Sequence, residues 1–197
     1  LSVRRRPDDA GTQEIWDGAQ IAAYLLGAKE ILLGVEDNKP QAIRSMRACA
    51  AGKVCVLKTK YPQGGEKQLI EAVTGRQVPS GGLPIQAGVI VMNVATCAAV
   101  ADAVIDGKPL VERIVTVTGA VREPANLRLR IGTITEDIIG ECGGFSGDVG
   151  KVIFGGAMTG MCAPNTSIPI AKATGGILVP SVVSGVKKGV RGTPGEL

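Results

Sequence analysis

Two kinds of apolar pattern divide this chain. Up to about residue 107, continuous apolar runs alternate with stretches whose apolar residues recur every three or four positions; beyond Pro109, apolar and polar residues alternate one by one. The runs at residues 31–35, Val54–Leu57 and residues 88–93 predict strands buried on both faces. Between them, Ile15, Ala19, Ala22 and Leu26 predict a helix capped by Thr12 and stopped by Gly27. Ile43, Met46 and Ala50 predict a second helix, entered at Pro40 and left at Gly52, and Leu69, Ile70 and Val73 a third, from Glu66 to Gly75. An alanine-rich helix over residues 95–105 closes at Gly107. Such alternation predicts an α/β fold, a parallel sheet with helices on both faces. Residues 1–11, with Arg4-Arg5-Arg6 and Pro7, predict a frayed terminus.

The one-by-one alternation over residues 113–119 and 126–131 predicts two half-exposed strands joined by a hairpin-length connection at residues 120–125. Thr133 or Thr135 then caps a short helix through Ile138 and Ile139, ended by Gly143-Gly144, and residues 151–154 form another strand. Two strands, a helix and a strand make a small β-grasp-like unit. Strand-like pieces follow at residues 167–170 and 176–179, and from residue 181 the Gly, Ser, Lys and Pro content predicts a flexible tail.

The stretch Lys60-Tyr61-Pro62-Gln63-Gly64-Gly65-Glu66 carries the most chemistry. A strand, a glycine turn and a helix start place unpartnered backbone N–H groups at the positive end of a helix dipole, where a phosphate, a flavin carbonyl or a carboxylate is stabilised. Glu66 is either a first-turn acid complementing that dipole or a ligand contact, and the alternative for the whole stretch is a plain βα loop. Ligands in such sheets sit beyond the carboxyl ends of the strands, so Asn93 and Thr96 can converge with Lys60 to Glu66 on one crevice. Asn93 either satisfies local backbone or aims its amide into that crevice, and Tyr61 either stacks on a ring or packs its loop. Glu36, Asp37 and Asn38 read as a helix cap and solvated loop.

Composition narrows the chemistry. With no histidine in 197 residues, His-ligated metals, Ser-His or Cys-His nucleophiles and histidine acid–base chemistry are excluded. Five cysteines, none in a C-x-x-C pair, predict reduced and mostly buried thiols, with no metal site and no cluster. The net charge of +4 is spread along a chain with only 3% aromatics, which gives no support to nucleic-acid binding. No apolar run approaches the ~18 to 20 residues of a membrane span. Gly150-Lys151 lacks the upstream glycine and the following hydroxyl of a P-loop, and Gly155-Gly156-Ala157-Met158-Thr159-Gly160 misses the dinucleotide spacing.

Several motifs together carry a resemblance: Glu36-Asp37-Asn38-Lys39-Pro40, Lys60 to Leu69, Val78-Pro79-Ser80-Gly81-Gly82-Leu83-Pro84, Gly107-Lys108-Pro109-Leu110, Val115-Thr116-Val117-Thr118-Gly119, Cys142-Gly143-Gly144-Phe145, Gly155 to Gly160 and Gly175-Gly176-Ile177-Leu178. In this order the chain resembles the RnfC family of the Rnf electron-transport complex, which is related to the flavoprotein subunit of respiratory complex I. The resemblance implies a Rossmann-like three-layer domain binding FMN and NADH over residues 1–108, a β-grasp soluble-ligand-binding domain (SLBB) over 109–180 and a tail over 181–197. It implies NADH-linked electron transfer through FMN to iron–sulfur clusters of an ion-translocating membrane complex. The partners would be the other subunits, NADH and ferredoxin-linked carriers, with the chain cytoplasmic and peripheral to the inner membrane.

The resemblance implies that Gly65-Glu66 is the family's Gly-Glu pair at the flavin and nucleotide crevice and that Asn93 and Thr96 belong to its FMN-contacting motif; with Lys60, Tyr61 and Gly64 of the same turn they are the expected cofactor-binding residues, none of them catalytic. Lys67 stands where the complex I flavoprotein has a second acid. The family's flavin loop would precede residue 1 and its cysteine motifs would follow residue 180, so the expectation is a central fragment, inactive alone, with 4Fe-4S clusters only in the missing part. A cobalamin reductase-like flavoprotein and a non-catalytic β-grasp scaffold are the alternatives.

Overall fold

The computed structural model describes residues 4–5 and 11–181. In chain order the elements are β1 (Arg4–Arg5), α1 (Thr12–Leu26), β2 (Leu33–Glu36), α2 (Pro40–Cys49), β3 (Val54–Leu57), α3 (Glu66–Thr74), a 3-10 turn (Pro84–Ala87), α4 (Val94–Ile105), β4 (Glu112–Gly119), β5 (Ala125–Arg130), α5 (Thr135–Glu141), β6 (Ile153–Phe154), β7 (Met161–Cys162) and β8 (Gly176–Val179). They fall into two units, one within Pro7–Leu110 and the other beginning at Val111 and joined by β1.

In the first unit, β2 and β3 pair in parallel, with Leu33 opposite Val54 and Glu36 opposite Leu57, and α2 is the crossover between them. Pro40 stands in the first turn of α2, where its missing N–H costs nothing. Helix α3 lays Leu69 and Val73 over β2 at Gly34, where a Cβ would lie 2.9 Å from Leu69 Cδ1 and 3.8 Å from Val73 Cγ2. The side chain of Ile70 is buried beside this contact. Helix α1 packs on α4, with Gly18 and Ala19 of one and Cys97 and Ala101 of the other buried. Gly27 ends α1 in the left-handed conformation, as its position predicted, and its N–H returns to the last turn of the helix.

The α/β class expected from the pattern holds, and three details of this unit differ. Residues 88–93 pair with no strand among the described residues, so the parallel sheet has two strands where three were expected. A strand is defined by its ladder, and this apolar run joins none among the described residues. β2 and β3 are also only partly buried, where strands sealed on both faces were expected. Thr12 is the first residue of α1 instead of its cap; the cap position is Gly11, with no side-chain hydrogen bond.

In the second unit, a six-stranded sheet runs β1-β5-β4-β8-β6-β7. β4 and β5 form the expected antiparallel pair, with Val115 opposite Leu127, and β8 joins β4 in parallel. The alternation sends Val115 and Val117 inward with Leu127, Leu129, Ile177 and Val179, and α5 closes that core with Ile138 and Ile139. The frayed terminus expected over residues 1–11 is corrected at Arg4–Arg5, which pairs antiparallel with β5. Neither threonine caps α5. Thr133 Oγ1 donates to the Arg130 carbonyl and Thr135 Oγ1 to that of Ile168, while Ile134 takes the cap position. The piece expected at residues 167–170 contributes one bridge, Ile134 to Pro169. The expected flexible tail lies outside the described residues, save Ser181, which bridges to Val149.

None of the five cysteines is in a disulfide, yet only Cys97 and Cys142 are buried, which corrects the expectation of mostly buried cysteines. Cys162 is exposed, as is Met161 beside it in β7, the last strand of the sheet.

Candidate nucleotide and flavin site

The turn between β3 and α3 is built by a relay of hydrogen bonds. The last ladder bond runs from the Asp37 amide to the Leu57 carbonyl at 2.8 Å. Two residues on, Asp37 Oδ1 accepts from both the Thr59 amide, at 3.0 Å, and the Thr59 hydroxyl, at 2.7 Å. The Gln63 amide then donates to the Lys60 carbonyl, the Gly65 amide to that of Pro62, and the Leu69 amide to that of Gly65. The Tyr61–Pro62 peptide is cis. The chain therefore leaves the sheet, turns twice and enters α3 with each step held.

Gly65 occupies the cap position of α3 and no side chain caps it. The first amides of that helix face the turn with the positive end of the dipole, and Glu66 is the acid in its first turn. The two glycines have different duties. A Cβ on Gly65 would run into the Gln68 amide oxygen and lie 3.0 Å from the Pro62 carbonyl, so Gly65 makes room for its own chain. A Cβ on Gly64 would meet nothing within 4 Å, so this glycine leaves an open approach to the turn.

Lys60 and Tyr61 line an open hollow of about 400 Å³ together with Pro62, Gln63, Gln68, Glu71 and Ala72. Gln63 is buried at 6% exposure, whereas Tyr61 presents its ring at 68%. Gly64, Gly65 and Glu66 stand at the head of α3 next to this hollow in sequence and do not line it. Asn93 and Thr96 are elsewhere, at the cap and in the first turn of α4. Asn93 Oδ1 accepts from the Ala95 amide at 2.9 Å, so one lone pair of the oxygen caps the helix. Of the two alternatives for Asn93, the oxygen serves local backbone.

Reading the pattern missed Gln68, Glu71 and Ala72, whose spacing of three and four puts them on one helix face. It also missed the link from Asp37 to Thr59, for which no local signal exists. Asp37 does not cap α2, whose cap residue is Lys39. The Thr59 hydroxyl, and after it the Thr59 amide, hold the Asp37 carboxyl below its ordinary value. Among the described residues no three His, Cys, Asp or Glu side chains gather where a metal could sit, and no helix is long and apolar enough to cross a membrane.

Comparison with known proteins gives this geometry a family. The model of the Nuo51 FMN-binding domain matches residues 8–102, and that of the SLBB domain residues 114–161. The C subunit of the proton-translocating ferredoxin:NAD(+) oxidoreductase complex of Clostridium ljungdahlii is 48% identical over 165 residues, 82% of this chain and 36% of that protein. Its Na(+)-translocating counterpart from Acetobacterium woodii is 48% identical over 166 residues, 82% of this chain and 38% of that protein. The C subunit of the ion-translocating oxidoreductase complex of Cronobacter sakazakii is 45% identical over 173 residues, 85% of this chain and 22% of that protein. The chain thus spans between 22% and 38% of the length of these relatives. Among solved structures, an NAD+-reducing NiFe hydrogenase in the air-oxidised state has the same fold, with a TM-score of 0.68 at 22% identity, over 88% of this chain and 36% of that one.

Proposed function

The chain belongs to the RnfC family of ion-translocating oxidoreductase complexes, and from that premise we propose that it supplies one wall of an FMN and NADH site in an electron-transfer protein. The carrying observation is the uncapped start of α3 behind the Lys60 to Glu66 turn, inside the stretch that matches an FMN-binding domain. Its free amides and dipole suit an anionic or carbonyl oxygen, Gly64 leaves the approach open, Lys60 supplies a cation and Tyr61 an exposed ring. These residues fit a flavin or nucleotide on chemical grounds.

FMN held there would supply the redox chemistry, hydride acceptance from NADH and single-electron release. The chain's residues bind and orient. The α3 amides hold an oxygen of the cofactor, Lys60 neutralises phosphate charge, Glu66 orients a ribose or amide by accepting its hydrogen bond, and the Asn93 nitrogen donates to a carbonyl. Thr96 offers a hydroxyl one helical turn from Asn93. No protein proton donor is needed, which suits a chain without histidine. Within a membrane-bound complex such a protein works beside the other subunits, with ferredoxin-linked carriers at the far end of the electron path and 4Fe-4S clusters between. It would sit in the cytoplasm, peripheral to the inner membrane. The units proposed for these tasks are a flavin and nucleotide domain to about residue 108 and an SLBB domain over 109–180.

Flavin titration tests the reading, on this chain and on the Clostridium ljungdahlii relative with this segment substituted for its own. Gly64→Val adds bulk where nothing packs and should lower FMN content at least about tenfold, roughly the 1.4 kcal/mol worth of one charge-assisted hydrogen bond. Asn93→Asp keeps the helix cap, removes the donor and adds a negative charge, so it should weaken FMN with the fold intact, and Asn93→Ser, which also keeps a cap oxygen but adds no charge, separates the two effects. Unchanged FMN content and unchanged NADH-driven flavin bleaching in these variants would place the site elsewhere and favour a non-catalytic binding module.

A further inference from the structure

Of the residues at the end of β2, Asp37 stands out because it is exposed, bears a charge, and its carboxylate accepts two hydrogen bonds from one residue at another strand's exit. Beyond the Asp37 amide bond to Leu57 the parallel ladder is over, and the two chains separate, one into α2 and the other into the Lys60 to Glu66 turn. Asp37 Oδ1 extends the pairing by two more residues, with a carboxylate oxygen in place of a strand carbonyl. The backbone bonds that follow, from Gln63 to Lys60, Gly65 to Pro62 and Leu69 to Gly65, are internal to the turn and α3, and Lys67 Nζ donates to the Pro79 carbonyl, which is outside the sheet. The two bonds at Thr59 are thus where the turn is moored to the sheet, immediately before Lys60.

We propose that Asp37 is a positioning residue for this site: through Thr59 it sets where Lys60 and Tyr61 emerge from β3, and so fixes the hollow and the head of α3 relative to the sheet. The inference rests on the flavin and nucleotide reading above for what is positioned, and on the hydrogen bonds alone for the positioning. A carboxylate suits this place because one oxygen must accept two donors, an amide and a hydroxyl, that diverge from one residue. The cost is electrostatic, since a negative charge near Lys60 opposes an anionic ligand. A residue retained only for local charge balance would act in the opposite direction on ligand affinity, and that difference makes the role testable.

The experiment compares Asp37→Ala, Asp37→Asn and Thr59→Val with the unaltered chain. Amide hydrogen exchange is read at Thr59, Gln63 and Gly65, with β4 and β5 as an internal control of folding. FMN affinity is measured by flavin fluorescence on the same proteins and on the same segment carried by the Clostridium ljungdahlii relative. Asparagine keeps an acceptor oxygen, so the expected result is faster exchange in Asp37→Ala, near-normal exchange in Asp37→Asn, and FMN affinity lowered about tenfold in the first and less than about threefold in the second. Thr59→Val, which loses one of the two bonds, should fall between. Equal changes in the alanine and asparagine variants, or tighter FMN binding in both, would mean that only charge matters and overturn the proposal. So would unchanged exchange at Gln63 and Gly65 in Asp37→Ala. If neither unaltered protein binds FMN, the function reading fails, and the exchange result still decides the mooring.

Discussion

Gly18 of α1 lies directly against the carbonyl of Cys97 in α4, so close that a Cβ on Gly18 would overlap the peptide. Cys97 sits one turn into the helix that Asn93 caps, and Thr96 precedes it, so this contact fixes where both residues stand. In an open helix, glycine to alanine gains about 1 kcal/mol of helix propensity. Here the carbonyl cannot move without the helix, and overpacking of this kind costs ~1 to 3 kcal/mol. Gly18→Ala should therefore lower the urea midpoint of the first unit, against the sign that propensity alone predicts.

The two glycines of the site turn should separate in the same measurement. Gly64→Ala meets open space and should change stability by less than about 0.5 kcal/mol. Gly65→Ala must displace the Gln68 amide and press on the Pro62 carbonyl, and should cost ~1 to 2 kcal/mol. Equal urea midpoints for the two variants would show that the Gln68 side chain moves aside freely.

Thr135 is fully buried, and its hydroxyl donates to the Ile168 carbonyl at 2.6 Å while its amide donates to the same oxygen at 3.1 Å. Thr135→Val preserves the shape and removes one of those two donors. A loss of ~1 to 2 kcal/mol is expected, read by thermal or urea unfolding of the second unit.

Asp37 also makes stability depend on acidity. Its folded pKa is lowered, first by the Thr59 hydroxyl and then by the Thr59 amide, so the stabilisation is present at neutral pH. It is lost as pH falls from the ordinary aspartate range through the lowered folded value. Asp37→Asn should be less stable than the unaltered chain at pH 7, and the gap in urea midpoint should close as the pH falls below the ordinary aspartate range and through the lowered folded value. A gap that stays constant over that range would remove the charge from the account.

The thiols should react in an order set by burial. Cys162 is exposed and should be alkylated first; Cys97 and Cys142 are buried, and burial pushes the Cys97 thiol up, so less of it is thiolate at mildly alkaline pH. A mass-spectrometric time course with iodoacetamide checks this, with urea expected to erase the difference.

What the sequence determined by itself is whatever neighbouring residues encode together. The 3.6-residue recurrence that made α1 and α3, the Pro62 to Gly65 turn that joins β3 to α3, and the alternation that buried Val115 and Val117 are all written within a few positions of one another. The family resemblance rests on the same local motifs. Tertiary structure decided the rest, because hydrogen-bond partners far apart in the chain leave no periodic trace. Residues 88–93 have a strand's composition and no ladder, while Arg4–Arg5 has no strand pattern and a ladder to β5. Thr135 passes over the helix end beside it for the Ile168 carbonyl, and Asp37 passes over α2 for Thr59, since in each case the fold brings a better-placed partner than the local backbone offers. The same holds at Gly64-Gly65: the sequence marks a glycine turn, and only packing assigns one glycine to the Gln68 side chain and the other to open approach.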